Sequence, residues 1–373
     1  FRVYTDKNSA EIRRYIAATL QELRWYAEKP YLRNRLPKFI YFGGGTPSYL
    51  SAQQLTELTS EMKAILSWEE AEEVTFECEP GTLSEKKLEV IKNFGVTRLS
   101  LGIENFDDHV LEINGRAHRS GEVFKAYEFA RSLDFEQINV DLISGMLDET
   151  EDNWKDSVRQ AIELSPDSVT IYQMEIPFNT TIYRNMRDEG KLTAPVADWP
   201  TKRRWVDYAF SELERSGYSV TSAYTAVKDP SKTRFVYRDR LWAGADMVAT
   251  GVASFGHLGG IHYQNMAHIE RYEEALEEGR TAFSRALMTT EDERFLRELI
   301  LQWKLGQVHL DYFRNKFGED VETRFESVLA SMEQRSFLER TEGKLHLTRD
   351  GLLQIDTLLH DFFLEKHQGD RYA

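Results

Sequence analysis

Apolar and polar positions follow two alternating patterns along the first two-thirds of the chain. Short runs rich in Val, Ile, Leu, Phe and Tyr end in Gly, Pro or polar residues, which is typical of buried β-strands. Longer stretches between them repeat apolar residues with the period of amphipathic helices. The predicted strands are residues 38–43, 73–79, 98–104, 137–143, 168–176, 218–225 and 246–254. The predicted helices are residues 8–28, 51–66, 84–94, 120–133, 150–164 and 198–216.

The order of these elements predicts an α/β fold. Strands separated by helices of this length pair in parallel through right-handed crossovers. Six or more such units favour a full or partial TIM-type barrel over an open doubly wound sheet. Several helices open with a residue type that caps helix N-termini. These predicted caps are Ser51, Ser84, Ser120 and Thr150.

The pattern changes at both ends of this alternation. The first element is a helix, so we expect an opening strand and the loop after it to lie upstream of residue 1. After about residue 267 the chain reads as helices with a short β element at 345–348, as in a winged-helix-like domain. We predict a barrel over residues 1–225, a connecting β/α segment that completes the active-site cover over 226–286, and a C-terminal helical domain over 287–373. The predicted C-terminal helices are residues 267–279, 289–305, 308–315, 319–334 and 350–366.

Composition narrows the class of protein. The chain has 373 residues, of which 41% are hydrophobic and 29% are charged, enough for a large barrel and a smaller second domain. It contains no apolar run of membrane-spanning length and no secretory signal pattern, and its one cysteine excludes an internal disulfide framework. These features favour a reducing cytoplasm. The formal net charge of −15, without a Lys/Arg-rich run, argues against a nucleic-acid partner.

The most informative segment is Tyr41–Ser48, in which three glycines follow an apolar run and precede a helix. Glycine permits both a tight turn and a close approach of the backbone to a ligand. The segment therefore predicts a loop that binds a ligand through bare backbone.

Polar residues recur at the ends of successive predicted strands, where TIM-type barrels carry their chemistry. A carboxylate there can accept from hydroxyl or amino groups, and an arginine can hold a carboxylate or phosphate. A structural ion pair of Glu77 or Asp141 with Arg98 or Arg116 is the alternative, because a charge in an apolar strand is unfavourable unless paired. The repetition favours a polar ligand. The residues of this series are Gly43–Ser48, Glu77, Glu79, Glu104, Asn105, Arg116, His118, Asp141, Gln173 and Glu175.

The ordered motifs closely resemble radical S-adenosylmethionine (SAM) enzymes of the oxygen-independent coproporphyrinogen III oxidase group. That group includes HemW-type heme chaperones and the class C radical methylases and cyclopropanases. The resemblance covers nearly the whole chain, including the helical C-terminal region. The motifs that carry it are GGGTPS (43–48), FECEPGT (76–82), RLSLGIENF (98–106), NGRAH (114–118), NVDLISGM (139–146), GVASF (251–255) and YQN (263–265).

The resemblance implies a set of cofactor-binding residues. The glycine loop would hold the methionine end of SAM, and Glu77 would bond its ribose. Glu104, Arg116 and Asp141 match positions that hold a second SAM, with Arg116 on a carboxylate and Asp141 on ribose hydroxyls. Phe255 would lie near the adenine of the first SAM, and Glu175 is a further candidate at a strand end. The candidate set is Gly43, Gly44, Gly45, Thr46, Glu77, Glu104, Arg116, Asp141, Glu175 and Phe255.

Two departures from the family pattern bear on function. Glu104 stands where the family usually carries Gln, and a carboxylate accepts hydrogen bonds but does not donate them unless protonated. The cysteine triad that ligates a 4Fe–4S cluster is absent, and its place would be upstream of residue 1. Cys78 alternates with Glu77 and Glu79 along a strand, so we expect it to be a buried structural thiol. The histidines His118, His257 and His262 show no metal-ligand spacing.

The implied function is reductive cleavage of SAM to a 5′-deoxyadenosyl radical, with two SAM molecules bound and an electron donor such as flavodoxin or ferredoxin. The substrate would be an unsaturated or tetrapyrrole-like small molecule, altered by methyl or methylene transfer or by oxidative decarboxylation. A HemW-like heme-binding chaperone is one alternative, although the signature His-Asn-x-x-Tyr-Trp is replaced by Tyr237–Trp242. The other alternative is a binding protein without a cluster on the same barrel.

Overall fold

A parallel β-sheet forms the centre of the computed structural model, which describes residues 7–175 and 196–367. Its parallel strands are adjacent in chain order, from the first to the fifth. They are β1 (Phe39–Phe42), β2 (Glu73–Cys78), β3 (Arg98–Glu104), β4 (Gln137–Ser144) and β5 (Ser168–Gln173). The helices of this region are α1 (Ser9–Ala27), α2 (Ala52–Ile65), α3 (Glu85–Asn93), α4 (Asp108–Ile113), α5 (Ser120–Ser132), α6 (Glu151–Leu164) and α7 (Trp199–Arg215).

The predicted strands and helices of this region are confirmed, with their ends shifted by a few residues; the last residue of predicted strand 168–176 lies outside the described residues. Ser51, Ser84 and Thr150 cap their helices as predicted, since each side chain accepts from a backbone N–H three residues on. The predicted cap at Ser120 is wrong. Arg119 holds that position, and its backbone N–H donates to the Glu122 carboxylate.

The far end of the sheet differs from the prediction. Predicted strand 218–225 is a tight antiparallel pair, β6 (Ser219–Val220) and β7 (Thr225–Val227), and β7 runs antiparallel to β5. The split occurs because the Ser222 hydroxyl accepts from the backbone of Tyr224 and Thr225 and closes a turn. The described sheet therefore contains five parallel strands and an antiparallel end, in the order β1-β2-β3-β4-β5-β7-β6.

A second, antiparallel sheet follows the barrel. The predicted strand at 246–254 is wrong: those residues are irregular apart from a bridge at Met247, and the strands begin later. The helix formed by Ile269–Glu277 packs against α1 of the barrel. The elements of this region are α8 (Val236–Trp242), β8 (Phe255–Leu258), β9 (Ile261–Asn265), α9 (Ile269–Glu277) and β10 (Phe283–Met288).

The C-terminal region has its own apolar core, centred on Phe295, Trp303, Phe313 and Phe362. It is mostly helical, as predicted, although the two last predicted helices are each broken into shorter ones. The β element predicted at 345–348 is one strand of a three-stranded antiparallel sheet, whose other two strands were not predicted. The elements of the C-terminal region are α10 (Glu291–Trp303), β11 (Gln307–His309), α11 (Leu310–Phe317), α12 (Val321–Arg324), α13 (Glu326–Gln334), β12 (Leu338–Thr341), β13 (Lys344–Leu347), α14 (Arg349–Leu353) and α15 (Ile355–Leu358).

Arg349 fixes this region to the barrel, because its guanidinium pairs with Asp207 at 2.8 Å and with Glu214 at 3.1 Å, both on α7. The predicted domain boundaries stay a prediction. Within the described parts of the chain, no helix combines the length and apolar character needed to cross a bilayer.

Candidate functional site at the carboxyl ends of the strands

The glycine loop after β1 lies against a carboxylate at the end of β2. Gly43, Gly44 and Gly45 are exposed, and the backbone N–H of Gly44 donates to Oε2 of Glu77 at 3.0 Å. Gly44 has a φ of +84°, a conformation that favours glycine. No heavy atom lies within 4 Å of a Cβ built on Gly44 or Gly45. The loop thus presents open backbone beside an acidic group, as its sequence predicts. Thr46 follows, half-buried, and its carbonyl accepts from Tyr49.

Gly43 meets a different constraint. A Cβ at this position would lie 2.5 Å from Oε2 of Glu77 and 2.4 Å from a ring carbon of Tyr41. The Tyr41 hydroxyl also donates to Oε1 of Glu77. The absent side chain at Gly43 therefore gives the carboxylate its place between the loop and the tyrosine. Burial raises the pKa of Glu77, and the bonds from Tyr41 and Gly44 oppose that rise.

Asp141 lies on β4, within a chain of polar side chains on the inner face of the sheet. Ser100 donates to Oδ2 of Asp141 at 3.0 Å, and Asn139 donates to Oδ1 at 2.9 Å. Asn139 is held in turn by the hydroxyls of Ser168 and Thr170, at 2.7 and 3.0 Å. These bonds fix the carboxylate in one orientation. Burial, and next the negative charge of Glu104, raise the pKa of Asp141 to about 7.

Glu104 ends β3 in a left-handed conformation, with a φ of +67°. The pairing register of β3 with β4 shifts between Gly102 and Glu104, so the strand bulges there. Backbone strain of this kind at a non-glycine residue is often found at functional sites. The side chain is 14% exposed, and its Oε1 lies 3.4 Å from Nη1 of Arg116. Burial raises the pKa of Glu104, and Arg116 opposes that rise.

The structure brings Glu77, Glu104 and Asp141 into one electrostatic cluster, since the charges of Glu77 and Glu104 both raise the pKa of Asp141. Among the described ion pairs, Arg116 joins Glu104 rather than Glu77 or Asp141. Arg98 is buried below them, donates to Ser168 at 3.2 Å and favours the charged form of Asp141. Three clustered carboxyl groups favour a ligand that offers hydroxyl, amino or cationic groups.

An aromatic wall beside Glu77 was missed at the level of sequence. The ring of Tyr41 stacks on Tyr237 of α8, with centroids 4.2 Å apart, and Phe235 packs against both. Tyr41 lies two residues before Gly43, so the period of a strand places both on the same face as the site. That alternation was a usable signal. No sequence signal indicated the contribution of Tyr237, which comes from a helix almost 200 residues later.

Two predicted residues have no described contact with this cluster. Glu175 is exposed just beyond β5, and its charge acts on Lys202 and Lys304. Phe255 lies on β8, is 46% exposed, and stacks on His262 with centroids 6.0 Å apart. None of the contacts described for either residue reaches Glu77, Glu104 or Asp141.

The remaining candidates have structural surroundings. Cys78 is buried in the barrel core, as predicted, and burial raises the pKa of its thiol. His118 is fully buried, bonds the Ile103 carbonyl at 2.9 Å and lies 3.6 Å from Glu79, whose pKa it lowers. Within residues 7–175 and 196–367, no group of three or more His, Cys, Asp and Glu side chains could hold a metal ion.

The chain is similar in sequence and fold to several known proteins. Residues 9–161 match the Radical SAM superfamily. The heme chaperone HemW of Bacillus subtilis is 28% identical over 321 residues, covering 85% of this chain and 83% of the relative. Oxygen-independent coproporphyrinogen III oxidase of Pseudomonas aeruginosa is 25% identical over 352 residues, covering 92% and 74%.

Among solved structures, coproporphyrinogen III oxidase (HemN) from Escherichia coli matches with a TM-score of 0.83 and 21% identity, over 97% of this chain and 85% of that one. This match confirms the predicted fold class at the level of an α/β fold with a mostly parallel sheet and a helical C-terminal region. The chain thus contains a radical SAM domain over residues 9–161, and its homologues include HemW and oxygen-independent coproporphyrinogen III oxidase.

Proposed function

We propose that the protein is a radical SAM enzyme that binds two SAM molecules at the barrel mouth. Its substrate would be an unsaturated or tetrapyrrole-like small molecule, altered by methyl or methylene transfer or by oxidative decarboxylation. The observation that carries the proposal is the open backbone of Gly44 and Gly45 beside the half-buried carboxylate of Glu77. A cytoplasmic location and an electron donor such as flavodoxin or ferredoxin are part of the same proposal.

The mouth fits SAM chemically. Backbone N–H and C=O groups of the glycine loop and Thr46 suit the amino and carboxylate groups of the methionine end. Glu77, pinned by Tyr41 and Gly44, suits ribose hydroxyls, and the carboxylate cluster suits a positive sulfonium. Glu104, Arg116 and Asp141 would hold the second molecule, with Arg116 on its carboxylate and Asp141 on its ribose.

The 4Fe–4S cluster that goes with the superfamily does not find ligands in this chain. The sequence contains one cysteine, and Cys78 faces the apolar core rather than the mouth. When bound, SAM and the cluster supply one-electron cleavage of the SAM C–S bond. The chain's own part in the proposal is to bind SAM, orient it through Glu77 and Asp141, and shield it with the wall of Tyr41 and Tyr237.

Equilibrium dialysis against labelled SAM tests the proposal. We expect two SAM molecules per wild-type chain and one per Arg116→Ala chain, because Arg116 serves only the second molecule. Arg159→Ala is the matched control, since Arg159 is exposed on α6 and pairs with Asp156 and Glu163. No SAM bound to the wild-type protein, or two bound to Arg116→Ala, would contradict the two-SAM assignment.

A heme-binding chaperone is the second candidate, favoured by relatives that are HemW proteins. The segment Tyr237–Trp242, where that signature would lie, falls entirely within helix α8. Tyr237 of this segment stacks on Tyr41 in the aromatic wall. Titration with heme distinguishes the candidates, since a saturable one-to-one Soret shift supports the chaperone and its absence contradicts it.

A further inference from the structure

A cavity open to solvent lies between the antiparallel sheet and the C-terminal region. Its volume is about 390 Å³, and β9, β10, α10 and residues 363–367 supply its walls. Most of its surface is apolar, with Leu287, Leu296 and Ile300 facing it. A volume of this size suits a small organic molecule.

One wall of the cavity carries an arginine that lacks a counter-ion among the described residues. Arg297 is half-buried, and its Nη1 is buried without a hydrogen-bond partner in the part of the chain that the structure describes. Its neighbour Glu298 already accepts from Lys316 at 2.9 Å and from Tyr312. Removing a charged guanidinium from water without a hydrogen-bond partner is unfavourable. A bound anion would therefore be stabilised by Arg297.

Two histidines extend this polar wall. His262 lines the cavity, and His257, 5% exposed, lies behind it with ring centroids 6.1 Å apart. The Nδ1 atom of each is buried and finds no partner within the described ranges. Burial first, and next the charge of Arg297, lower the pKa of both rings, that of His257 to about 4. Both imidazoles are therefore neutral near pH 7, and each carries one N–H that can donate.

The acidic group in the lining does not neutralise Arg297. Glu293 is bound by Lys366 at 2.6 Å and accepts from the backbone of Thr290 at 2.9 Å. Those partners hold its pKa low, at about 2. Because its charge is already matched, the polar end of the cavity is left electropositive.

We propose that this cavity binds a small molecule with a carboxylate and an apolar body, the carboxylate on Arg297 and His262 and the body against Leu287, Leu296 and Ile300. The site is separate from the barrel mouth. The two sites adjoin at Tyr237, which stacks on Tyr41. The positive charge of Arg297 acts on Tyr237 and opposes the rise in its pKa that burial causes. The inference stands on the cavity alone and does not depend on the proposed reaction.

Fluorescence titration with 1-pyrenebutyrate and the matched neutral 1-pyrenebutanol tests the site. The wild-type protein should bind the carboxylate about tenfold tighter or more, as a charge-assisted bond to an arginine provides. Arg297→Gln should remove that preference and leave the alcohol's affinity unchanged. Arg285→Gln, which removes an exposed arginine on β10 outside the cavity lining, should keep it.

A second variant guards against misfolding of Arg297→Gln. Leu287 is 53% exposed on β10. Leu287→Trp therefore fills the cavity from its open side and does not overpack the core. Both probes should then bind at least about tenfold more weakly, as expected when their buried apolar contacts are lost. Equal affinity of the wild-type protein for the two probes, or carboxylate binding unaffected by Leu287→Trp, would overturn the proposal.

Discussion

Glu104 and Arg116 are joined across the rim of the barrel, with 3.4 Å between Oε1 and Nη1. This ion pair connects the strained end of β3 to the loop before α5. Arg116 is 36% exposed, whereas Glu104 is 14% exposed. The pair therefore holds a cation over the carboxylate cluster while leaving one side of the guanidinium open to a ligand.

We predict that this pair contributes little to folding. Solvent screening at the partly exposed Arg116 limits the contribution of the ion pair to about 1 kcal/mol or less. A double-mutant cycle with Glu104→Ala and Arg116→Ala, measured by urea unfolding, should give a coupling free energy in that range. A coupling above about 2 kcal/mol would make the pair a structural element and weaken its assignment to ligand binding.

Two substitutions in the glycine loop should distinguish its role in folding from its role in ligand binding. In Gly43→Ala, the new methyl group collides with Glu77 and Tyr41, and we expect a loss of about 1–3 kcal/mol in the free energy of unfolding. In Gly45→Ala, nothing lies near the added carbon, so stability should change by less than about 0.5 kcal/mol.

The same Gly45→Ala protein should nevertheless bind SAM more weakly, because the methyl group occupies the space that the ligand needs. Thermal unfolding and calorimetric titration with SAM measure the two quantities. If Gly45→Ala leaves SAM affinity unchanged, the loop does not contact SAM.

Asp141 should make the protein less stable as pH rises. Its pKa is about 7 in the folded protein, against an ordinary value of 3.8. Between these values the unfolded chain releases the proton and the folded protein keeps it, so the free energy of unfolding falls from about pH 4 to about pH 7 and then levels. Asp141→Asn should remove this contribution and stabilise the protein by about 1–3 kcal/mol above pH 7.

Urea unfolding at pH 5 and pH 8 measures this effect. Glu149, whose pKa burial also raises to about 7, contributes a slope of the same sign that the variant retains. Asp152→Asn, at an exposed position on α6, controls for the change in net charge. An Asp141→Asn protein with the wild-type slope would show that Asp141 is ionised at pH 5.

Glu22 should be a strong stabilising residue although it lies far from the mouth. It is buried on α1 and accepts from the Gly251 backbone at 2.9 Å, from Asn265 at 2.7 Å and from the Tyr272 hydroxyl. Glu22→Ala leaves the Tyr272 hydroxyl and one Asn265 N–H without their acceptor, whereas the Gly251 N–H keeps the Tyr272 oxygen at 3.1 Å, so we expect a loss of about 2–3 kcal/mol.

Glu28→Ala, at the exposed end of the same helix, should change stability by less than about 0.5 kcal/mol. Chemical unfolding compares the two variants. Similar values would mean that water accepts from Tyr272 and Asn265 in place of Glu22.

The parallel strands were predictable because each combines a continuous apolar run with a bounding polar or glycine residue. The antiparallel sheet was missed for a local reason. Gly259 and Gly260, with φ of +59° and +78°, join β8 to β9 in the short turn that a Gly-Gly pair indicates. The apolar run at 246–254 was interpreted as a strand instead. In the structure, Gly251 and its neighbours are irregular.

The candidate site was predictable where it depends on the period of a strand. Alternation placed Glu77 toward the mouth and Cys78 toward the core, and the structure agrees. The pairing of Glu104 with Arg116, and the stacking of Phe255 on His262, depend on how separate segments pack. Such relationships have no local pattern along the chain.

The burial of Cys78 has a practical consequence for following the barrel as it opens. Its thiol is the chain's one sulfhydryl, it is 4% exposed, and burial keeps it protonated. A thiol-specific alkylating reagent therefore reacts only when β2 separates from its neighbours. The rate of alkylation in native buffer reports that opening directly, without an added label or a second cysteine to mask.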